Sequence, residues 1–354
     1  MYTLYKDEKH LSESLTAALF TTGFVAAAVA ASFVGSLADR YGRKRACVTF
    51  CVAYSLSCLS VLSNDINMLF VGRVLGGLST TMLYSVFETW MIAEFHARRL
   101  CDSLRLRDMF STSVTLSGIV AILAGVVGEA VVSWTKTKTA PFVLAIMCLA
   151  TAGAGIEIFW SENHATTPAT SEQDEENDMP SATNFCTHLL TKPMLTLFLT
   201  TTAFEGSMYL FVFFWSPALK SARAANSITT PPPFGLIFSS FMSAMMMGSM
   251  VFSAVNIRND RDTAKLLMTV LALAAISLLL PVMMTAETVA FWSFALFEGC
   301  VGIYFPTMAR LKSEVVEDKV RGRVYGLMRL PLNCFVVVAL GVTKEGMLYR
   351  LTFA

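Results

Sequence analysis

The sequence contains few charged residues, since Asp, Glu, Lys and Arg fill only 15% of its 354 positions, against about 25% in a soluble domain. This scarcity argues against a soluble enzyme. A net charge of +1 also supplies no basic face of the kind that nucleic-acid-binding proteins use. Hydrophobic residues make up 55% of the chain, which is typical of a protein that is embedded in a lipid bilayer.

Motifs for metal binding and for catalysis are also lacking. The eight cysteines form no CxxC pair and share no metal-ligand spacing with the four histidines, so we expect neither a metal site nor a disulfide framework. The sequence has no glycine-rich phosphate loop and no nucleophile paired with a base. We therefore expect no enzymatic activity and no cofactor.

Long apolar runs are what the sequence has in abundance. Each is long enough, or nearly so, to cross a bilayer as a helix, and a spanning helix satisfies its own backbone hydrogen bonds. The pattern predicts an all-α membrane protein with ten transmembrane helices. The runs cover about residues 13–36, 46–63, 67–92, 109–133, 140–160, 194–219, 233–256, 264–285, 288–309 and 322–342.

Basic residues predict the orientation of these helices. With the 35–45 loop in the cytoplasm, 17 Lys and Arg residues fall on the cytoplasmic side and 8 on the opposite side. The two remaining basic residues, Arg73 and Arg329, lie inside predicted spans. Because cytoplasmic loops carry the excess of Lys and Arg, this orientation is favoured. We expect the plasma membrane to be the location.

One polar stretch divides the chain. Residues 161–192 carry six acidic residues and two prolines, a composition typical of a disordered linker. The sequence therefore predicts an N-terminal bundle at 1–160, an acidic cytoplasmic linker at 161–192 and a C-terminal bundle at 193–354. Five spans on each side suggest an internal duplication. A protein-docking role for the linker is left open.

The first cytoplasmic loop, GSLADRYGRKR at 35–45, resembles the signature loop of the major facilitator superfamily. We expect Gly35 to allow neighbouring helices to approach closely and Gly42 to form a tight turn. We expect Asp39 to cap a helix and to pair with a cation. The resemblance implies a cytoplasmic latch that includes Arg40 and Arg43; the alternative is a basic anchor and nothing more.

Charged residues inside the predicted spans are expensive, at roughly 3 kcal/mol each on insertion scales. We therefore expect them to face the interior or the membrane interface. Glu129 and Glu157 lie near span ends, which favours packing or snorkelling. The seven residues are Arg73, Glu88, Glu129, Glu157, Glu205, Glu298 and Arg329.

The third span places several polar residues on one helix face, because they recur at steps of three and four. A polar face on a spanning helix is expected to line water or a partner helix, and we assign Thr80, Thr81 and Tyr84 to a cavity face. Gly72, Gly76 and Gly77 are interpreted as packing residues. The face consists of Arg73, Gly77, Thr80, Thr81, Tyr84 and Glu88.

Two carboxylates and one cation lie well inside the later spans. Glu205 and Glu298 are candidates for proton binding, since burial changes how readily a carboxyl group exchanges its proton. A structural ion pair between Arg329 and a neighbouring glutamate is the competing interpretation, and the sequence favours neither.

Longer strings narrow the resemblance to the molybdate-anion transporter branch of the major facilitators. Among them are GRVLGGLSTTMLYSVFETW, FVFFWSPAL, EGCVGIYFP and MRLPLN. The resemblance implies the major facilitator fold of two helical bundles, and uptake of molybdate, an oxyanion. The substrate-binding or coupling residues are then expected to be Arg73, Glu88, Glu205, Glu298 and Arg329.

The resemblance leaves some expectations open. Family members have twelve spans, so about ten of twelve are expected here, without the first and the last. Protons are a possible co-substrate, the lipid bilayer is the environment, and a monomer is expected. A transporter of a sugar or another small organic solute is one alternative, and a membrane receptor or scaffold that does not transport is another.

Overall fold

A computed structural model describes residues 1–98, 106–163, 191–226, 230, 232–255, 259–284, 286–315 and 321–342. This part of the chain is helical and contains no strand. A short helical turn at Leu4–Glu8 comes first. The longer helices are α1 (Glu13–Ala31), α2 (Val34–Tyr41), α3 (Arg43–Ser60), α4 (Ile66–Ala97), α5 (Leu106–Thr135), α6 (Ala140–Phe159), α7 (Lys192–Ala225), α8 (Phe234–Ala254), α9 (Asp260–Met283), α10 (Glu287–Val315) and α11 (Arg321–Val342).

Eight helices of the described residues are long and apolar enough to cross a membrane, namely α1 and α4 to α10. They coincide with eight of the ten predicted spans. The other two predicted spans, 46–63 and 322–342, fall on α3 and α11. Helix α3 begins with three basic residues, and only Pro331–Gly341 of α11 is a continuous apolar stretch. The prediction of an all-α membrane protein is confirmed.

Helices α1 and α2 divide the first predicted span. Helix α1 ends at Ala31, and α2 begins at Val34 after a two-residue turn. Helix α3 follows α2 after Gly42, which has a φ of 109°. That angle is easily reached only by glycine, so the expected tight turn at Gly42 is confirmed.

The helices form two compact units. The first unit comprises Met1–Thr16, Ser111–Lys138 and Leu197–Ala354, and the second comprises Ala17–Phe110 and Thr139–Thr196. Helix α5 therefore packs mainly with the later helices of the chain. The division into bundles at 1–160 and 193–354 stays a prediction.

Glycines bring helices together in the second unit. A Cβ atom added to Gly77 of α4 would lie 2.4 Å from the carbonyl oxygen of Gly23 in α1. One added to Gly72 would lie 1.6 Å from Oγ of Ser60 in α3. The interpretation of these glycines as packing residues is confirmed, because a larger residue would force the helices apart.

Glycines have the same effect between α8 and α10 in the first unit. A Cβ atom on Gly248 would lie 2.1 Å from the carbonyl oxygen of Gly299, and one on Gly302 would lie 1.9 Å from that of Met245. Beside this contact, Phe211 of α7 and Phe294 of α10 are almost fully buried, with ring centroids 5.2 Å apart. Helix α10 is thereby fixed against both α7 and α8.

Candidate functional site

The polar face of α4 is partly open and partly used for packing. Thr80, Tyr84 and Glu88 are exposed and follow one another at intervals of one turn. Tyr84 has 70% of its surface exposed. Arg73 is half-buried, and its guanidinium carbon lies 5.9 Å from the ring centroid of Phe20 in α1. This face can therefore offer hydroxyl groups, a carboxylate and a cation.

The two threonines of this face differ. The Thr81 hydroxyl donates to the carbonyl oxygen of Ala27 in α1 at 2.9 Å. The Thr80 hydroxyl donates to the carbonyl oxygen of Gly76, one turn back in the same helix, at 2.8 Å. Thr81 thus contributes to the contact between α1 and α4, whereas Thr80 stays on the exposed side. Their assignment to a cavity face remains a prediction.

Glu205 of α7 is part of a small polar group between α7 and α10. Its Oε1 atom lies 3.6 Å from Nζ of Lys312 and accepts a hydrogen bond from the Tyr304 hydroxyl at 3.4 Å. Tyr304 is fully buried and stacks on Phe204 with a centroid distance of 4.0 Å. Glu205 therefore has a positively charged partner inside its own unit.

Sequence reasoning missed both partners of Glu205. Lys312 lies just after the predicted span 288–309, yet the structure places it in the last turn of α10. Tyr304 lies two turns before Lys312 on that helix. Helical periodicity could have placed these two residues near one face of α10, but nothing in the sequence indicates that α7 packs there.

Glu298 differs from Glu205 because it is buried and has no charged partner among the side chains that the structure describes. Only 6% of its surface is exposed, and no cation of the described residues lies within ion-pair distance. It directly precedes Gly299, one of the glycines at the contact between α8 and α10. Arg329 lies in α11, but its side chain is outside the described residues, so its pairing with a glutamate stays a prediction.

Of the two carboxylates near span ends, Glu129 contacts a neighbouring helix, as expected for a packing residue, whereas Glu157 is largely exposed. Glu129 of α5 accepts a hydrogen bond from the backbone N–H of Gly235 at 2.7 Å, at the start of α8. Glu157 of α6 is exposed, and its Oε1 atom lies 3.7 Å from Nζ of Lys44. A carboxylate at a helix N-terminus is stabilised by the unpaired backbone donors there.

The signature loop is held by one close ion pair. Two guanidinium nitrogens of Arg43 lie 2.8 and 2.7 Å from Oδ1 of Asp39. The expected pairing of Asp39 with a cation is confirmed. Its expected role as a helix cap is wrong, because Asp39 lies in the last turn of α2. Arg40 is exposed and lies over the ring of Tyr41.

Glu162 takes the capping role at the start of α3. Its two carboxylate oxygens accept hydrogen bonds from the backbone N–H groups of Lys44 at 2.9 Å and of Arg45 at 3.3 Å. A Cβ atom on Gly42 would lie 2.6 Å from this carboxyl group. The absence of a side chain at Gly42 thus lets Glu162 approach the loop.

Two sequence-based expectations for this region need correction. Nothing lies within 4 Å of a Cβ atom added to Gly35, so Gly35 permits no close helix approach in this structure. The composition predicts a disordered linker from residue 161, but residues 161–163 pack on the loop and on α4. The Trp90 indole N–H donates to the Ser161 carbonyl oxygen at 3.0 Å, and its ring stacks on Trp160 at 3.7 Å. Residues 164–190 lie outside the described residues.

Comparisons with known proteins agree on one superfamily. Residues 1–301 match the family described as sugar transporters with 12 TM. The molybdate-anion transporter of Danio rerio is 30% identical over 96% of this chain and 74% of its own length. The molybdate-anion transporter of Takifugu rubripes is 29% identical over 95% of this chain and 74% of its own. The chain thus spans about three quarters of the length of these relatives.

The fold has a solved counterpart. A mutant of the nucleoside transporter NupG superposes with a TM-score of 0.76, covering 99% of this chain and 89% of the other at 11% identity. Identity this low supports the fold alone. Together with the family match and the relatives, the helices and the signature loop lead to one assignment: the chain belongs to the major facilitator superfamily of membrane transporters, in the branch of the molybdate-anion transporters.

Proposed function

We propose that this protein carries molybdate across the plasma membrane into the cell by alternating access. The observation that carries the proposal is the similarity to several molybdate-anion transporters over nearly the whole chain. The placement of ionisable side chains supports it. Arg73 is half-buried inside α4, and a cation in a spanning helix is expensive unless it meets an anion or water.

Uptake of a dianion requires an energy source. The membrane potential opposes its entry into a negative interior by about 4.6 kcal/mol per 100 mV, twice the value for a single charge. Two protons that enter with each dianion would cancel this opposition. We therefore propose proton coupling, with Glu205 and Glu298 as proton-binding groups.

Arg73 and Arg329 are the proposed ligands of the oxyanion. Arginine suits this role because its planar fork of donors matches an oxyanion and it stays charged at every physiological pH. The exposed face of α4, with Thr80, Tyr84 and Glu88, would line the route of the substrate. Thr81 would take part through its contact with α1.

The signature loop is the proposed cytoplasmic latch. Its support is the close pair between Asp39 and Arg43, together with the carboxylate of Glu162 on the start of α3. Arg43 also donates to the carbonyl oxygen of Thr89 in α4 at 3.5 Å, so the loop is tied to a helix that carries proposed substrate residues. Gly35 and Arg40 complete the motif, and Gly42 makes the turn.

Sealed vesicles that contain the purified protein provide the test. Molybdate should accumulate when the outside is acidic, and a proton carrier that collapses the gradient should stop the accumulation. Tungstate and sulfate should compete, and a hexose should not. Accumulation that is unchanged by the proton carrier would contradict the coupling, and an absence of molybdate uptake would contradict the substrate.

A small organic solute such as a sugar is the second candidate. The matching family is described as sugar transporters, and the exposed Thr80, Tyr84 and Glu88 could hydrogen-bond to hydroxyl groups. Hexose uptake that excess molybdate leaves unchanged would favour this candidate over the first.

A further inference from the structure

Three charged side chains meet at one end of the first unit, apart from every residue considered above. Oδ2 of Asp7 accepts a hydrogen bond from Nζ of Lys138 and another from Nζ of Lys220. We call these three residues the dilysine cluster. They come from the N-terminal turn, the loop after α5 and helix α7. The distribution of basic residues assigns all three stretches to the external side.

The N-terminal turn holds Asp7 in place. Leu4 and Tyr5 are almost fully buried, at 1% and 0% exposure, so the turn is anchored by packing. The Glu8 carboxylate accepts a hydrogen bond from the backbone N–H of Lys138 at 2.8 Å. The packing of this turn therefore positions the carboxylate of Asp7 beside the two lysines.

Among the described residues, Asp7 is the one carboxylate that forms an ion pair with the ammonium groups of the dilysine cluster. Burial raises the pKa of Asp7, but the hydrogen bonds and the charges of Lys138 and Lys220 outweigh this effect and hold the pKa below its ordinary value. Asp7 is thus ionised at neutral pH. Besides Asp7, the Lys138 ammonium donates a hydrogen bond to the uncharged carbonyl oxygen of Thr3 at 3.3 Å.

The geometry favours a tetrahedral oxyanion. Both ammonium groups bond to the same oxygen, so they lie within about 6 Å of each other, twice the length of a hydrogen bond. Each lysine keeps about 30% of its side chain exposed, at 30% for Lys138 and 29% for Lys220. A dianion would offer each lysine its own oxygen and would balance both charges, whereas Asp7 balances one.

We propose that Lys138 and Lys220 form an external docking site for a tetrahedral oxyanion, in which Asp7 is a built-in competitor that occupies the site when no oxyanion is bound. The proposal rests on the proposed function, because it assigns the site to the side from which molybdate enters. An oxyanion that displaces Asp7 must break the two hydrogen bonds of Asp7 with the lysines. Asp7 therefore lowers the affinity of the site for the oxyanion.

The alternative is a structural clamp that ties the N-terminal turn to α7. The two ideas predict effects of opposite sign for Asp7. If the group is a clamp, Asp7→Asn, Lys138→Gln and Lys220→Gln all weaken transport together. If it is a docking site, Asp7→Asn strengthens oxyanion binding while the two lysine substitutions weaken it.

Measurements of molybdate uptake by intact cells that express each variant distinguish the docking site from the clamp. For partly exposed charges, Lys138→Gln and Lys220→Gln should each raise the molybdate concentration for half-maximal uptake about three- to fivefold, with the maximal rate preserved. Asp7→Asn should lower that concentration. Lys136→Gln is the matched control, because Lys136 is an exposed lysine of the same loop outside the dilysine cluster. A rise for Asp7→Asn, or an equal rise for Lys136→Gln, would overturn the proposal.

Thermal unfolding of the purified full chain tests the site without transport. In lipid-free detergent, molybdate, tungstate and sulfate should each stabilise the wild type, and should stabilise Asp7→Asn more. The variant that carries both Lys138→Gln and Lys220→Gln should show no such shift. A shift that appears only with phosphatidylglycerol vesicles, and with none of the free oxyanions, would identify a lipid headgroup as the ligand and overturn the proposal.

The two experiments separate the docking site from the proposed function. Lysine-dependent stabilisation by oxyanions in a protein that moves no molybdate would support the docking site and refute the function. Molybdate uptake that is identical in wild type, Lys138→Gln and Lys220→Gln would support the function and refute the docking site.

Discussion

The helix pair α1–α4 and the helix pair α8–α10 pack in the same way but carry opposite charges at the contact. In the first pair, Gly77 meets the backbone of α1, and Arg73 lies one turn earlier. In the second, Gly302 meets the backbone of α8, and Glu298 lies one turn earlier. The same spacing of glycine and charged residue in the two pairs supports an internal duplication. Because one pair has an arginine and the other a glutamate at this position, close helix packing alone does not determine the sign of the charge.

The environments of the two charges also differ. Arg73 is half-buried beside an aromatic ring, and its helix continues into an exposed face with Glu88. Glu298 is buried, with no cation of the described residues in reach. A buried carboxylate without a partner is costly when ionised. An arginine can instead bury its aliphatic stem and keep its charged group in contact with water. The comparison therefore favours an anion-binding role for Arg73 and a proton-binding role for Glu298.

Glycine replacement tests the packing part of this comparison and should have the largest effect on stability. Gly302→Ala places a methyl group 1.9 Å from a backbone oxygen, and Gly77→Ala places one at 2.4 Å. We expect losses of about 1–3 kcal/mol or more, the range for overpacked cores, with Gly302→Ala the worse. Thermal unfolding in detergent measures this.

Gly155→Ala in α6 is the matched control, because nothing lies within 4 Å of its added Cβ atom. It should be neutral, or stabilising by up to about 1 kcal/mol, since alanine is the better helix former. Equal melting temperatures for Gly302→Ala and Gly155→Ala would refute the close contact between α8 and α10.

Glu298→Gln tests the acidic side of the comparison. If Glu298 carries one of the two protons, the variant moves one net negative charge into the cell with each molybdate. The membrane potential then opposes uptake by about 2.3 kcal/mol per 100 mV, which lowers the ratio of internal to external molybdate roughly 50-fold. Exchange of labelled for unlabelled molybdate across the membrane should continue, since exchange needs no net proton movement. Loss of exchange together with accumulation would instead indicate a structural role.

Arg73→Ala tests the basic side. We expect the half-saturating concentration of molybdate to rise about 10- to 100-fold, as for the loss of a hydrogen bond to a charged group of about 1.5–3 kcal/mol. Arg73→Lys should recover part of the affinity, because the charge returns without the planar fork. An unchanged half-saturating concentration for Arg73→Ala would remove it from the binding site.

The pair of Glu205 and Lys312 should show the smallest effect. Nζ of Lys312 lies 3.6 Å from Oε1 of Glu205, and both side chains remain partly accessible, at 18% exposure for Glu205 and 16% for Lys312. A double-mutant cycle with Glu205→Gln and Lys312→Gln should give a coupling free energy of unfolding of about 1 kcal/mol or less. A much larger coupling would mean that Glu205 is a structural residue and not a proton carrier.

Local sequence features predicted the fold better than the site. The length of the apolar runs indicated the helices, and small residues such as Gly72 and Gly77 within a span indicated close packing, because both features can be read from a single segment of the chain. The pairing of Glu205 with Lys312 joins residues more than 100 positions apart, as does the cap that Glu162 provides for α3. Helical periodicity shows which face a residue occupies, but it does not show which helix packs there.

The position of Glu162 gives the acidic segment a mechanical connection to the signature loop. The first residues after α6 are fastened to the start of α3 and to Trp90, directly before the polar stretch that separates the two halves of the sequence. Any displacement of residues 161–163 would therefore act on the turn at Gly42 and on α4 together, because these residues bind both.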